Sequence, residues 1–266
     1  MDVTTRTARL RSVPRAVWSV VSSAPLTCAW LVVMLVTTIV QHSASPEQLH
    51  HILVTRSTNL HHLTTDPLHV LFTSLFWLDG AYWLPYLLAF AIFHIPAERW
   101  LGSLRWLLVG LSAHVLATYI SEGLLGLAIR DGVAGESMVH VTDVGVSYFL
   151  AGIVAVLTYR IATPWRWVYL AGVIVVYGAP LITALTFTAI GHFASVLIGL
   201  AFYPITRGRD TAPWNPLDTV RALRSRLTRA GWVRRVTAEC GRGTVSSQAS
   251  MPARHWNGRR RGRRAT

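Results

Sequence analysis

Apolar residues in this chain come in runs of helical length divided by short polar breaks, without the two-residue alternation of half-buried strands. The runs predict six helices, at about 24–41, 81–97, 103–120, 143–160, 166–183 and 187–205. At about 1.5 Å per residue each crosses, or nearly crosses, a hydrocarbon core of about 30 Å. A further apolar stretch at about 67–78 is opened by Asp66-Pro67, a capping residue with proline in the first turn, and is cut by Asp79-Gly80. Its length of roughly 18 Å is too short to cross alone, so it is expected as an extra helix at the outer interface. The stretches at about 43–66 and 121–142 read as polar loops, and Asp143 as the N-cap of the fourth span. The pattern gives an all-α, polytopic membrane protein.

Composition agrees: of 266 residues, 52% are hydrophobic and 14% charged, against about 25% charged in soluble domains. Charge then orients the bundle. All 25 basic residues are arginine, a usage that fits a GC-rich genome. With the N-terminus in the cytoplasm, 23 of the 25 fall on the inside and only Arg56 and Arg130 outside. Six spans with both termini cytoplasmic satisfy this bias, in a bacterial cell membrane. Residues 1–22 form a basic cytoplasmic arm and no cleavable signal peptide is expected. Residues 23–206 form the membrane domain. Residues 207–266 form a basic tail, expected to be largely disordered, whose nearest partners are anionic headgroups and not nucleic acid.

Two side chains carry candidate chemistry. Ser147 follows Gly145 near the outer end of the fourth span, and His192 follows Gly191 near the outer end of the sixth. Their expected depths agree, at roughly 6 Å and 7–8 Å. A histidine within hydrogen-bond reach can take the serine proton during attack, so the pair has the parts of a nucleophile–base dyad. Ser195 and Gly199 form a small-residue face suited to close helix packing, opposite Ala151 and Gly152. Cys28 and Cys240 make no disulfide framework. His140, Asp143 and the five outer histidines from His42 to His62 lack a compelling ligand pattern, so neither metal nor cofactor is expected. Glu98 with Arg99 reads as a structural cap, and the tryptophans flanking the spans as interfacial anchors.

In order along the chain, Glu98-Arg-Trp-Leu-Gly-Ser103, Gly145-Val-Ser147-Tyr148 and Gly191-His192 through Gly199 resemble the motifs of the rhomboid family of intramembrane serine proteases. His69-Val-Leu-Phe-Thr73 resembles the family's His-x-x-x-Asn element. The resemblance covers about residues 24–205 and implies a six-helix bundle, of a divergent branch expected in actinobacteria. It implies Ser147 as nucleophile, His192 as general base, His69 and Thr73 as oxyanion candidates, and a transmembrane segment as substrate. The sequence departs from the motifs at Tyr148, where glycine follows the serine, at Thr73 in place of asparagine, and at Ser195 in place of glycine. Retention of both dyad residues favours a protease. The departures favour a catalytically inactive pseudoprotease that binds membrane-protein partners.

Overall fold

Pro25 opens the first long helix, α1 (Pro25–Ser43), whose N-terminal residues have no capping side chain of their own. The cap comes from far along the chain. The Glu98 carboxylate, 1% exposed, accepts the backbone N–H groups of Leu26 at 3.0 Å and Thr27 at 2.8 Å, and the hydroxyl of Ser103 at 2.7 Å. Free N–H groups and the positive end of the helix dipole favour a carboxylate at this place. Glu98 thereby fastens the start of α1 to the turn at Gly102.

The computed structural model describes residues 17–78, 80, 82–208 and 212–228, and their regular structure is helical throughout. Much of the basic arm (1–16) and tail (229–266) lies outside the described residues. The described residues fall into two compact units, one ending at Trp214 and one beginning at Asn215. In the second, a helix occupies 216–228, where a largely disordered tail was expected; Asn215 caps it by accepting the Leu217 N–H at 3.0 Å.

The stretch read as a polar loop at 43–66 is mostly helical: α2 (Pro46–Arg56) and α3 (Leu60–Thr65). Their start signals are local. Ser45 and Gln48 make a capping box around Pro46, and Asn59 caps α3 by accepting the His62 N–H at 2.9 Å. α4 (Pro67–Thr73) begins at Asp66-Pro67 but stops short of residue 78. Residues 74–78 instead lie against α1, where Trp30, Thr37 and Gln41 donate to the carbonyls of Leu75, Phe76 and Leu78 at 2.9, 2.6 and 2.8 Å. Side chains of α1 thus satisfy carbonyls that a helix ending before Gly80 leaves without partners.

α5 (Trp83–Ala89) and α6 (Ile95–Leu101) are joined by a π-helical turn over Phe90–His94. Pro96 supplies the cause. It has no N–H for the carbonyl four residues back, and the Ile95 N–H reaches Phe90, five back. Gly102, at φ 82°, then turns the chain into α7 (Ser103–Arg130), which runs ten residues beyond the expected end at 120. Ser121, Glu122 and Leu125 are buried on this extension, so the polar residues taken for a loop face the protein interior. A 3₁₀ turn follows at Glu136–His140.

α8 (Val146–Val156), prolonged by a 3₁₀ turn at Leu157–Arg160, lies at the centre of the bundle with nine of its 11 residues buried. Its N-cap is Gly145 and not Asp143. α9 (Trp165–Thr183) is peripheral, with Val173 its one buried residue. α10 (Phe187–Ala201) and the short α11 (Tyr203–Thr206) complete the bundle. α1, α7 and α9 are long and apolar enough to cross a membrane, and α8 and α10 are shorter apolar helices. Trp30, Phe90, His94, Trp106 and Phe149 form an aromatic centre joining α1, the π turn, α7 and α8, with His94 stacked on Phe90 at 3.9 Å.

Replacing Glu98 with alanine removes three charge-assisted bonds from one buried acceptor. The expected cost is on the order of 2–4 kcal/mol, read as a lower thermal midpoint in detergent. An unchanged midpoint would show that α1 needs no such fastening.

Candidate functional site

Ser147 is the second residue of α8. α8 and its 3₁₀ extension together measure roughly 22 Å, less than a hydrocarbon core of about 30 Å. The chain enters this end through Asp143 and Val144, which are buried but not helical. A fully buried Ser57-Thr58-Asn59 segment holds the entry in place. Thr58 N–H donates to the Asp143 carbonyl at 3.0 Å, Ser57 Oγ donates to it at 3.1 Å, and the Asp143 N–H donates to Ser57 Oγ at 2.6 Å.

Four glycines let α8 be gripped on two sides. A Cβ on Gly152 would lie 2.3 Å from the Ala113 Cβ of α7, and one on Gly199 would lie 2.3 Å from the Gly152 carbonyl. Both are far below van der Waals contact, so α7, α8 and α10 touch nearly backbone to backbone. At the serine end, the His114 ring occupies the place of a Gly145 Cβ, 1.9 Å away. His114 Nε2 lies 2.9 Å from the Leu71 carbonyl, which ties α7 to α4 beside the entry to α8. The Tyr148 phenol takes the corresponding place beside Gly191, with its hydroxyl 2.7 Å from a built Cβ. Ser195 is buried and donates from Oγ to the Ala113 carbonyl at 3.5 Å.

Ser147 and His192 are both half-buried and both adjoin Tyr148. The Tyr148 ring is fully buried and meets the His192 ring edge-on, at 4.9 Å between centroids. Tyr177 of α9 approaches the other side at 6.1 Å. The Ser147 hydroxyl donates to the Val144 carbonyl at 3.4 Å, and no hydrogen bond joins it to His192 among the described residues. One His192 ring nitrogen faces the Thr188 carbonyl of its own helix. A cleft of about 320 Å³ opens at His192 between α9 and α10, lined by Val176, Tyr177, Pro180, Thr186 and Ala189 among others.

On α4, His69 is exposed and Thr73 half-buried. His69 Nε2 is 2.8 Å from Arg56 Nη1, its Nδ1 is 3.9 Å from Asp66, and Thr73 Oγ1 donates to the His69 carbonyl at 2.8 Å. Neither makes a hydrogen bond to Ser147 or His192 among the described residues.

A residue-by-residue reading of the sequence missed the buried polar set beside Tyr148. Glu122 and Asp143 are 2% and 4% exposed, and these two and Tyr148 lie close enough to interact electrostatically. Both Glu122 oxygens, Asp143 Oδ2, the Tyr148 hydroxyl, Thr118 Oγ1 and Asn59 Nδ2 lack a protein partner of regular geometry. Such a set can hold ordered water or a shared proton. Its signal in the sequence was two acids flanking an apolar loop, which reads equally well as a polar turn. Among the described residues no group of three or more His, Cys, Asp or Glu side chains is placed to hold a metal ion.

The family model described as rhomboid-like protein matches residues 19–212, a stretch that includes every helix of the bundle. The chain belongs to the rhomboid-like protein family. No curated protein and no solved structure matches it. The rhomboid-like match takes in the Gly102 turn, the Ser147 helix and the His192 helix in one unbroken segment. This rhomboid-like membrane protein therefore carries its serine and histidine on two helices gripped through small residues, with a tyrosine ring packed between helix α8 and the histidine.

Substituting Gly199 with leucine places a side chain against the Gly152 backbone and is expected to destabilise by about 1–3 kcal/mol or more. The matched control is Gly172→Leu on α9, where a Cβ meets nothing within 4 Å; it should stay within about 0.5 kcal/mol. Thermal unfolding of both variants checks the contrast, and equal behaviour would mean α8 and α10 are not in backbone contact.

Proposed function

We propose that this rhomboid-like protein binds transmembrane segments of client proteins and holds them without cutting. The observation that carries this reading is the state of the pair: Ser147 donates to Val144, and the Tyr148 ring covers His192. A serine whose hydroxyl is spent on its own backbone, with no base accepting its proton, is a poor nucleophile. The oxyanion candidates add to this, because His69 is engaged by Arg56 and Asp66. The apolar cleft between α9 and α10 offers a groove for a client helix, since α9 buries a single residue against the bundle. Six spans, both termini in the cytoplasm of a bacterial cell, and a basic tail against anionic headgroups complete the proposed setting. The arginine distribution supports it.

A second reading is an intramembrane serine protease with Ser147 as nucleophile and His192 as base. One observation favours it: Ser147 is followed directly by Tyr148, whose ring packs against His192, so a client that displaced Tyr148 would open the space beside the histidine. Catalytic hydrogen bonds often tighten only in the complex.

Reconstituted protein treated with a fluorophosphonate probe separates the two. Holding without cutting predicts no labelling above the Ser147→Ala variant, with or without a single-span test peptide, while a photoreactive side chain at Val176 cross-links to that peptide. Ser147-dependent labelling or cleavage of the peptide would establish the protease reading. Absence of cross-linking would remove the client groove.

A further inference from the structure

A cavity of about 650 Å³ lies at the end of α8 away from Ser147. From Ser147 to Arg160 is 13 residues of continuous helix and 3₁₀ turn, roughly 20 Å, so this cavity is separate from the serine and histidine. Its walls divide by chemistry. Ile92 and Phe93 from the π turn and Leu157 from the end of α8 make an apolar side, and Arg99 and Arg160 make a cationic one. Trp100 and Trp214 complete it, side chains suited to a boundary between hydrocarbon and water.

The two arginines are free to bind. Arg99 is exposed and makes no hydrogen bond or ion pair among the described residues. Arg160 donates one N–H to the Ala212 carbonyl, which leaves most of its five donors available. The acid next door is already committed: Glu98 points away to Leu26, Thr27 and Ser103. Among the described residues the cationic wall therefore has no acidic partner. Beyond α11 the chain returns to close the rim. Trp214 N–H donates to the Arg160 carbonyl at 2.8 Å, and Ala162 N–H donates to the Trp214 carbonyl at 2.9 Å. That backbone pairing holds Trp214 over the cavity beside Arg160.

We propose that this cavity is a binding site for one anionic phospholipid. The phosphate sits between Arg99 and Arg160, the glycerol region lies against Trp100 and Trp214, and the acyl chains run along Ile92 and Phe93. Three features of the site point to that occupant over others. Two guanidinium groups with no acidic partner among the described residues select a phosphate-bearing anion. A mostly apolar remainder selects a ligand with hydrocarbon attached. A volume within the range of small-molecule pockets, about 300–1,000 Å³, accommodates a headgroup region and the start of the chains. The π turn forced by Pro96 shapes the apolar wall, because Ile92 and Phe93 both belong to it.

The test uses the full chain, purified in nonionic detergent and stripped of lipid. Phosphatidylglycerol, phosphatidylcholine or inorganic phosphate is then added, with thermal unfolding and native mass spectrometry as readouts. One phosphatidylglycerol should be retained per chain and should raise the unfolding midpoint, whereas phosphatidylcholine and inorganic phosphate should do neither. Arg99→Gln should weaken retention about tenfold, the size expected for one lost charge-assisted contact. It should fold normally, because Arg99 is exposed and makes no hydrogen bond or ion pair among the described residues. Arg105→Gln, an exposed arginine of α7 that does not line the cavity, should bind as wild type does. Equal loss in both variants would reduce the effect to general surface charge. Equal stabilisation by phosphatidylcholine, or full stabilisation by inorganic phosphate, would also overturn the site.

Discussion

With a glycine at 199 and another at 152, α10 lies against α8 at a distance that no side chain could share. In a membrane the hydrophobic effect does not distinguish helix from lipid, so such close contacts, with dispersion and interhelical polar bonds, carry helix association. Gly152 meeting Ala113 and Ser195 donating to Ala113 extend the same grip to α7. The level of Ser147 relative to His192 follows from this register. A slip of α10 by one turn would move His192 about 5.4 Å along the axis and away from Tyr148.

Beside His192 the grip leaves room for a ring, and the chain spends it on tyrosine. Gly191 provides the gap, the Tyr148 ring fills it, and His192 stands at its edge. The phenol end reaches the buried acids Glu122 and Asp143, while the ring face governs what can approach His192. Tyr148 thus connects the polar set under the Ser57-Thr58-Asn59 clip to the cleft between α9 and α10. At the opposite end of α8 the chemistry is reversed. Acid gives way to arginine, and a cavity of about 650 Å³ replaces a filled groove.

Much of this architecture was legible in the sequence, for physical reasons that differ from part to part. The long apolar runs located most of the long helices to within a few residues, because burial in lipid or protein demands continuous apolar length. Asp66-Pro67 located the start of α4, because capping is a local interaction. α2 and α3 were equally local, with Ser45 and Gln48 as a capping box and Asn59 as a cap, but their histidines and polar faces masked them as loop. The extension of α7 to Arg130 was not legible, because Glu122 is a polar residue whose burial depends on the distant Asp143 segment. The end of α4 depended likewise on α1 side chains 37 to 45 residues away. At the site, the serine and histidine could be singled out as residues, whereas the direction of their hydrogen bonds could not. The His192 ring packs on Tyr148, whose neighbours come from α7, α10 and the non-helical Asp143 segment.

The most direct measurement is the nuclear magnetic resonance of the His192 imidazole in protein labelled at histidine, assigned by its loss in His192→Gln. An aromatic edge at 4.9 Å imposes a ring-current shift on the imidazole protons, and an absent serine bond leaves the ring nitrogens indifferent to position 147. Replacing Tyr148 with leucine should therefore move the His192 signals, and replacing Ser147 with alanine should leave them in place. A large change in the ring nitrogen shifts on Ser147→Ala, with little response to Tyr148→Leu, would contradict it and establish a direct serine–histidine bond.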